Sequence, residues 1–434
     1  MVINLPENVC LILDRLKDYG SIGYVVGGCV RDSFLGREPD DWDITTPLLP
    51  GVVENLFQDY QVIETGIKHG TVTVIINNEK YEVTTFRIDG EYSDGRHPDN
   101  VDFTDRLEDD LKRRDFTINA MAYNPDTGLV DLFNGMFDIE NGIIRCVGNP
   151  NDRFHEDGLR ILRALRFAIT LDFRIENETM YCMNRCEELL KHISKERICT
   201  EICKMMQTHF PNSFKTLYPC IGLLSCVSSY FSLDNFSSDI LFEQHSLIES
   251  LVATDRDDDL IVRLALLVQY IKNPKDVLND VRLDNASIKS VLHILDNKDK
   301  YENVSGDEVE RKYFVRKLIS EIGYRDTRRL LSFWKARIYV ATPINKFYFL
   351  KTINKMNYDA GMIMTNNDCC SLDRLDITGD DLIEIGYEPS KEIGDVLHFL
   401  LDGVMHDPYK NKKNWLIKWA KDLKESQEII QDKD

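Results

Sequence analysis

The sequence has little of what would announce a nucleic-acid partner or a secreted scaffold. Lysine and arginine number 53 against 73 aspartates and glutamates, a formal net charge of −20. A phosphate-binding surface, which normally shows as a basic excess, therefore has to be local. No Cys-x-x-Cys pair occurs and the 11 cysteines are odd in number, which excludes a fully paired disulfide framework and fits a reducing compartment. The 13 prolines and 23 glycines do not gather into a linker, and no unit recurs at a fixed period, which argues against solenoids and propellers. Met1 to Val9 lacks a basic start followed by an apolar stretch and does not read as a secretory signal. Thr216 to Leu233 is uncharged and of borderline membrane length, but Pro219, Gly222 and several serines interrupt it. Buried helix is the expected state there. A cytoplasmic protein with no membrane partner follows.

What is present is a chain of 434 residues, 43% hydrophobic, enough for roughly three domains with cores of their own. Strand-like runs separated by turns fill the first part: Tyr24 to Val26, Trp42 to Thr45, Thr71 to Ile76 and Tyr81 to Phe86, after helical spacing over Cys10 to Tyr19. From about Asp157 the spacing becomes helical, in LRILRALRFAI, EELLKHI and ERICTEICKMM. An α+β chain is expected, with a small mixed sheet first and helices after. Asp89 to Asp110, polar and rich in Gly and Asp, is expected to be a mobile loop. Cys182, Cys186, Cys199 and Cys203 form two Cys-x3-Cys steps. That spacing also puts thiols on one apolar face of a helix, which is preferred here over zinc.

The chemistry-bearing residues come in order. Val25-Val26-Gly27-Gly28-Cys29-Val30-Arg31-Asp32 reads as a strand, a Gly-Gly turn and a helix start. Gly28 would let backbone N–H groups approach a phosphate and Arg31 would supply a planar donor fork. Alone this is an ordinary turn. In Asp41-Trp42-Asp43-Ile44, strand alternation places Asp41 and Asp43 on one face with Asp40 on the other. Adjacent carboxylates repel unless a cation sits between them, which suits Mg²⁺ and phosphoryl transfer. The alternative is a solvated edge strand. Glu82, on the next strand, is either a third carboxylate or a partner for a basic neighbour. Lys112-Arg113-Arg114 precedes an apolar run read as helical, and Arg114 is the candidate for neutralising a triphosphate.

Asp157, Arg160, Arg163 and Arg166 stand at steps of three, one face of a helix whose other side carries Leu159, Leu162 and Leu165. A carboxylate accepts from the exocyclic amine of C or A, and a guanidinium donates to the neighbouring unprotonated ring nitrogen. U and G would set a carbonyl against the carboxylate, so Asp157 and Arg160 could select C and A without a template.

In this order GGCVRD, DWDI, EVTTFR, RRDFTINA and EDGLRILRALRF resemble the motifs of bacterial class II tRNA nucleotidyltransferases, the CCA-adding enzymes. The resemblance implies addition of C, C and A to the tRNA 3′ end from CTP and ATP. Asp41 and Asp43 would bind metal, Gly28, Arg31 and Arg114 the triphosphate, and Asp157 and Arg160 the base, with Arg163 and Arg166 as further nucleotide contacts. Ser194 to Ile198 is similar to the family's neck. Ile377 to Leu382, Lys391 to Gly394 and Asp407-Pro408 are similar to its tRNA-holding tail. The implied parts are a catalytic head (1–145), neck (146–210), body (211–345) and tail (346–434).

Bacterial poly(A) polymerases share the head motifs, but Glu64 to Val74 resembles the tRNA enzymes' version of that strand. CC-adding relatives shorten the loop that here keeps Gly90 to Arg96; an A-adding enzyme would retain it. An appended hydrolase would need a His-Asp pair where Val268 and Gln269 stand, and His245 reads as a packed or solvated histidine. An inactive RNA-binding relative would have no reason to keep Asp41 and Asp43. Monomer and homodimer stay open.

Overall fold

The computed structural model describes residues 2–66, 69–90, 100–208, 210–211, 227, 247, 249–254, 259–340 and 345–431. His245, Gly90's neighbours 91–99 and, Val227 apart, Thr216 to Leu233 lie outside the described residues. The chain divides into two compact units, residues 1–234 with 280–282, and residues 235–279 with 283–434.

The first unit opens with helix α1 (Glu7–Asp18), whose Val9, Ile12, Leu13 and Leu16 are buried at the spacing of a single helix face. Gly23 lets this helix lie close to the chain entering the sheet, since a Cβ there would sit 2.6 Å from Leu16 Cδ1. The sheet has seven strands: β1 (Tyr24–Val26), β2 (Asp43–Thr46), β3 (Gln61–Gly66), β4 (Thr71–Ile76), β5 (Glu79–Thr85), β8 (Met121–Asn124) and β9 (Gly128–Asp131), in the order β3-β4-β5-β2-β1-β8-β9. β2 and β5 run parallel and the other neighbours antiparallel. Alternation explains the central strands: Val72, Val74 and Ile76 of β4, with Tyr81 and Val83 of β5, are buried between exposed or half-buried neighbours.

The expected loop over Asp89 to Asp110 is partly regular. Its arms pair as an antiparallel ribbon of β6 (Arg87–Asp89) and β7 (Val101–Phe103), and helix α4 (Leu107–Lys112) follows. Polar composition hid this, because a two-stranded ribbon needs no apolar face to satisfy its backbone. Lys112, Arg113 and Arg114 consequently end a helix instead of opening one, the favourable end of the macrodipole for cations. The apolar run after them is a 3₁₀ turn (Thr117–Asn119) leading into β8, not a helix.

Helices α6 (Pro150–Glu156), α7 (Leu159–Leu171), α8 (Asn177–Arg185) and α9 (Lys195–Met206) complete the described first unit, with EELLKHI between α8 and α9 as a 3₁₀ segment, Glu187–His192. α7 buries ten of its 13 residues, including the three leucines expected in the core. Cys199 and Cys203 lie one turn apart on α9, their sulfurs 3.9 Å from each other.

The second unit is helical among its described residues. Its helix Glu308–Val340 breaks at Gly323, whose φ of 80° and ψ of 159° suit glycine. Arg311 joins it to helix Lys346–Thr365 through a buried ion pair with Asp359 at 2.7 Å. The Thr-Gly-Asp-Asp stretch of the expected tail is a capping box: Thr378 and Asp381 satisfy each other's backbone N–H groups at the start of Gly379–Glu384. Gly403 of helix Lys391–His406 faces the ring of Trp419, where a Cβ would meet Cζ3 at 2.5 Å. Among the described residues no helix is long and apolar enough to cross a membrane.

Candidate active site

Parallel pairing of β2 with β5 sets Asp43 opposite Glu82 in register. Asp41 lies just before β2, not in it, yet its charge acts on both Asp43 and Glu82. Asp43 is solvent-accessible but closely surrounded by protein. Desolvation pushes its carboxyl above the ordinary carboxylate range, Arg114 opposes this, and Asp41 adds to it. Glu82 is raised by desolvation, then by Asp43 and Asp41. Glu82 thus joins the acidic group, which was one of two readings open for it. Among the described residues no three His, Cys, Asp or Glu side chains converge as a ready-made metal cage.

Beside this group β1 turns into helix α2 (Gly28–Phe34) through Gly27, the residue with positive φ, 84°. A Cβ on Gly27 would lie 2.8 Å from Arg114 Nη1, whereas one on Gly28 meets only Arg31 Nη2 at 3.7 Å. The tight approach is therefore at Gly27, one residue before the glycine singled out from the motif. Arg114 Nη2 is 3.5 Å from Asp110, and its Nε is buried with no hydrogen-bond partner among the described residues. Buried Asp110 also takes Nε and Nη2 of Arg113 at 3.0 and 2.8 Å. Burial alone would raise the Asp110 carboxyl, but Arg113 and Arg114 hold it below the usual range. Arg31 is buried and largely committed: Nε and Nη2 grip Asp32 at 2.9 and 2.7 Å, and Nη1 donates to Asn119 at 2.6 Å.

Asp157 is not on the helix with the arginines. It sits extended in the break between α6 and α7, where Leu189 packs so closely that a Cβ on Gly158 would meet its Cβ at 3.0 Å. One carboxylate oxygen of Asp157 accepts from Leu159 N at 3.0 Å, the other from Arg197 at 2.7 Å. Arg160 donates to Glu156 at 2.5 Å and to the carbonyls of Arg153 and Arg113, both at 3.1 Å. Arg163 grips Asp115 with Nε at 2.8 Å and Nη2 at 2.6 Å, and Arg166 pairs with Glu201 at 2.6 Å. Burial alone would raise the Asp115 carboxyl, yet Arg163 and Arg160 bring it down to about 2. The guanidiniums of Arg31, Arg163 and Arg166 stand 4.9, 5.4 and 4.1 Å from the ring centre of Phe167.

The structure thus gathers two groups in the first unit: Asp41, Asp43 and Arg114, and a second in which Asp115 and Asn119 join Arg163 to Arg31, with Arg160 acting on Asp115 and Asp157 on Arg163. Arg166 is turned to Glu201. Sequence reading passed over Asp110, Asp115, Asn119, Glu156, Phe167, Arg197 and Glu201. The signal for Asp115 and Asn119 was in hand, since RRDFTINA carries both polar groups inside an apolar run.

A family model described as "Poly A polymerase head domain" matches residues 23–145, one described as "Probable RNA and SrmB- binding site of polymerase A" matches 172–219, and "tRNA nucleotidyltransferase domain 2 putative" matches 254–420. The CCA-adding enzyme of Pediococcus pentosaceus is 33% identical over 409 residues, 94% of this chain and 95% of that one. The chain belongs to the CCA-adding enzyme family. The Bacillus stearothermophilus CCA-adding enzyme in complex with CTP superposes with a TM-score of 0.75 at 27% identity, covering 97% of this chain and 98% of that one. The Thermotoga maritima CCA-adding enzyme, at 19% identity and a TM-score of 0.64 over 95% of each chain, shares the fold.

Membership makes this chain a tRNA nucleotidyltransferase that adds C, C and A to the 3′ end without a template, and the poly(A)-polymerase, partial-addition and inactive readings are not favoured. The head-then-helices architecture expected from the sequence is the family's. Nucleotidyltransferases of this kind generally use divalent metals.

Proposed function

We propose that Asp41 and Asp43 hold Mg²⁺, that Gly28, Arg31 and Arg114 hold the triphosphate of CTP or ATP, and that Asp157 and Arg160 read the base, with Arg163 and Arg166 beside it. One observation carries the reading. Glu82 lies in register with Asp43, both carboxyls are raised by burial and by the charge of Asp41, and Arg114 acts on Asp43 from beside them. A crowded acidic group beside an arginine suits a ligand that is itself a metal–polyphosphate complex. The donors fit the ion, because Mg²⁺ prefers hard carboxylate oxygens. When bound it would activate the tRNA 3′ hydroxyl and neutralise the leaving pyrophosphate.

The chain's own groups do the rest. Arg114 offers its guanidinium charge to the phosphates, and Asp110, 3.5 Å from its Nη2, helps hold it at the site. Each Asp157 oxygen keeps a second lone pair beyond the bond it already makes, so the carboxylate accepts the exocyclic amine of C or A while Leu159 N and Arg197 hold it still.

In this reading the catalytic head spans 1–145 and the neck 146–210, with a body over 211–345 and a tail over 346–434 that holds the tRNA. A surface in the second unit supports RNA binding: a cavity of about 980 Å³ lined by Lys351, Lys355, Tyr339, Phe347 and Tyr358. Lysines follow the backbone and exposed aromatics stack on bases. A cytoplasmic location fits the nine described cysteines, all free thiols. The test is Asp43→Asn, which should abolish transfer to tRNA lacking its terminal nucleotides while leaving tRNA binding unchanged. Transfer at near wild-type rates would refute the assignment.

A further inference from the structure

Asn119 ends the 3₁₀ turn Thr117–Asn119 and is buried, 6% exposed. Its Oδ1 accepts from Arg31 Nη1 at 2.6 Å and its Nδ2 donates to Asp115 Oδ1 at 3.2 Å. The orientation of the amide is dictated by its neighbours, since a guanidinium only donates and an ionised carboxylate only accepts. Beyond Arg31, Asp32 closes one end, and beyond Asp115, Arg163 closes the other. A single line of charge and hydrogen bonds, Asp32–Arg31–Asn119–Asp115–Arg163, buried at its three middle members and half-buried at its ends, therefore runs from α2 to α7. Phe167 lies under both arginines of that line.

Among side chains of this size and shape, only the amide can accept from a cation at one end and donate to an anion at the other. Aspartate would face Asp115 with a second carboxylate, and an apolar residue of the same shape would cost Arg31 Nη1 and Asp115 Oδ1 one buried bond each. We propose that Asn119 is a positioning residue that couples the triphosphate arginine, Arg31, to the base-selecting helix, so that phosphate grip and base choice are set together. The inference rests on the nucleotide roles proposed above for Arg31 and Arg163.

The experiment uses the full chain with tRNA lacking its last nucleotides. KM and kcat are measured separately for CTP, ATP and UTP in Asn119→Ala, Asn119→Asp, Arg31→Ala, Arg163→Ala and the double variant Arg31→Ala/Asn119→Ala. Asn119→Ala is expected to raise KM for CTP and ATP on the order of tenfold, the scale of a lost hydrogen bond to a charged group. It is also expected to narrow the preference over UTP, which a purely structural residue would not do. The double variant should be no worse than Arg31→Ala alone, because both act through one contact. Asn119→Asp, which keeps the shape and the Arg31 contact, should lose selectivity more than triphosphate affinity, and it stands in if Asn119→Ala does not fold. Unchanged KM and selectivity in both Asn119 variants, with Arg31→Ala and Arg163→Ala impaired, overturns the coupling and leaves the nucleotide roles standing. Unimpaired Arg31→Ala and Arg163→Ala overturns both.

Discussion

Two regions handle positive charge in opposite ways: the candidate site of the first unit, and one exposed helix of the second unit, whose buried Arg311 and Arg316 are themselves paired with Asp359 and Asp368. Around the nucleotide site the arginines are matched by carboxylates of the chain itself: Arg31 by Asp32, Arg113 by Asp110, Arg163 by Asp115 and Arg166 by Glu201. On helix Lys346–Thr365, Lys351 and Lys355 are exposed and make no ion pair among the described residues, and Phe347 and Tyr358 are 82% and 68% exposed beside them. Paired, buried charge fixes geometry and is little screened by salt, whereas exposed cations supply affinity that salt removes. On the proposed reading, this contrast gives selection to the first region and grip on a polyanion to the exposed helix. It also explains how a chain of net charge −20 serves an RNA substrate.

The largest effect should come from breaking the acidic group. Asp41→Asn or Asp43→Asn should each lower single-turnover transfer by about three orders of magnitude or more, a loss on the scale of removing a principal electrostatic contribution. A filter-binding assay should find tRNA affinity unchanged, because the surface proposed to grip tRNA lies in the other unit.

Next is Asp115, whose loss would strand Arg163. Breaking a buried pair from one side costs about 3–5 kcal/mol, so Asp115→Asn should lower the unfolding midpoint markedly at neutral pH. The folded carboxyl titrates at about 2 against an ordinary 3.8. Its contribution is therefore complete above about pH 4 and is lost as pH falls toward 2. Melting curves over that range should converge for wild type and variant, and a gap that stays constant down to pH 2 would break the pairing argument.

A smaller change is expected of Asp157→Ala. Removing the acceptor for the exocyclic amine should relax discrimination against UTP and GTP by roughly 10- to 100-fold, the span of one base-edge contact worth about 1–3 kcal/mol. Smaller still, Lys351→Glu with Lys355→Glu should weaken tRNA binding several-fold at low salt and flatten its salt dependence. KM for CTP should not move. A raised KM for CTP would erase the contrast between the two regions.

Much of this was legible beforehand where local rules decide. Strand-like runs between turns marked β1 and β4 to the residue, and apolar spacing marked α1, α7 and α9 within a few residues. The hairpin of β6 and β7 was not legible, because pairing between polar arms leaves no periodic apolar signal. Strict spacing misplaced Asp157 on the helix. The backbone is extended at Asp157, whose carboxylate accepts from Leu159 N, and Leu189 packs closely on Gly158, an arrangement invisible in a run of i, i+3 steps. The residue types of the site were readable from their chemistry, but their partners were not. Asp115, Glu201 and Arg197 reach the nucleotide arginines and Asp157 from 48, 35 and 40 residues away, and only the fold closes such distances.

The central claim, that Asp43 belongs to the chemistry and Asp157 to the choice of monomer within one site, is tested most directly by sequencing products. Wild type, Asp43→Asn and Asp157→Ala are incubated with tRNA lacking its last three nucleotides, Mg²⁺ and all four triphosphates. Wild type should yield C, C and A, Asp43→Asn bare tRNA, and Asp157→Ala extended tails containing U or G. Faithful C, C and A from Asp157→Ala, or any extension at the wild-type rate by Asp43→Asn, would contradict it.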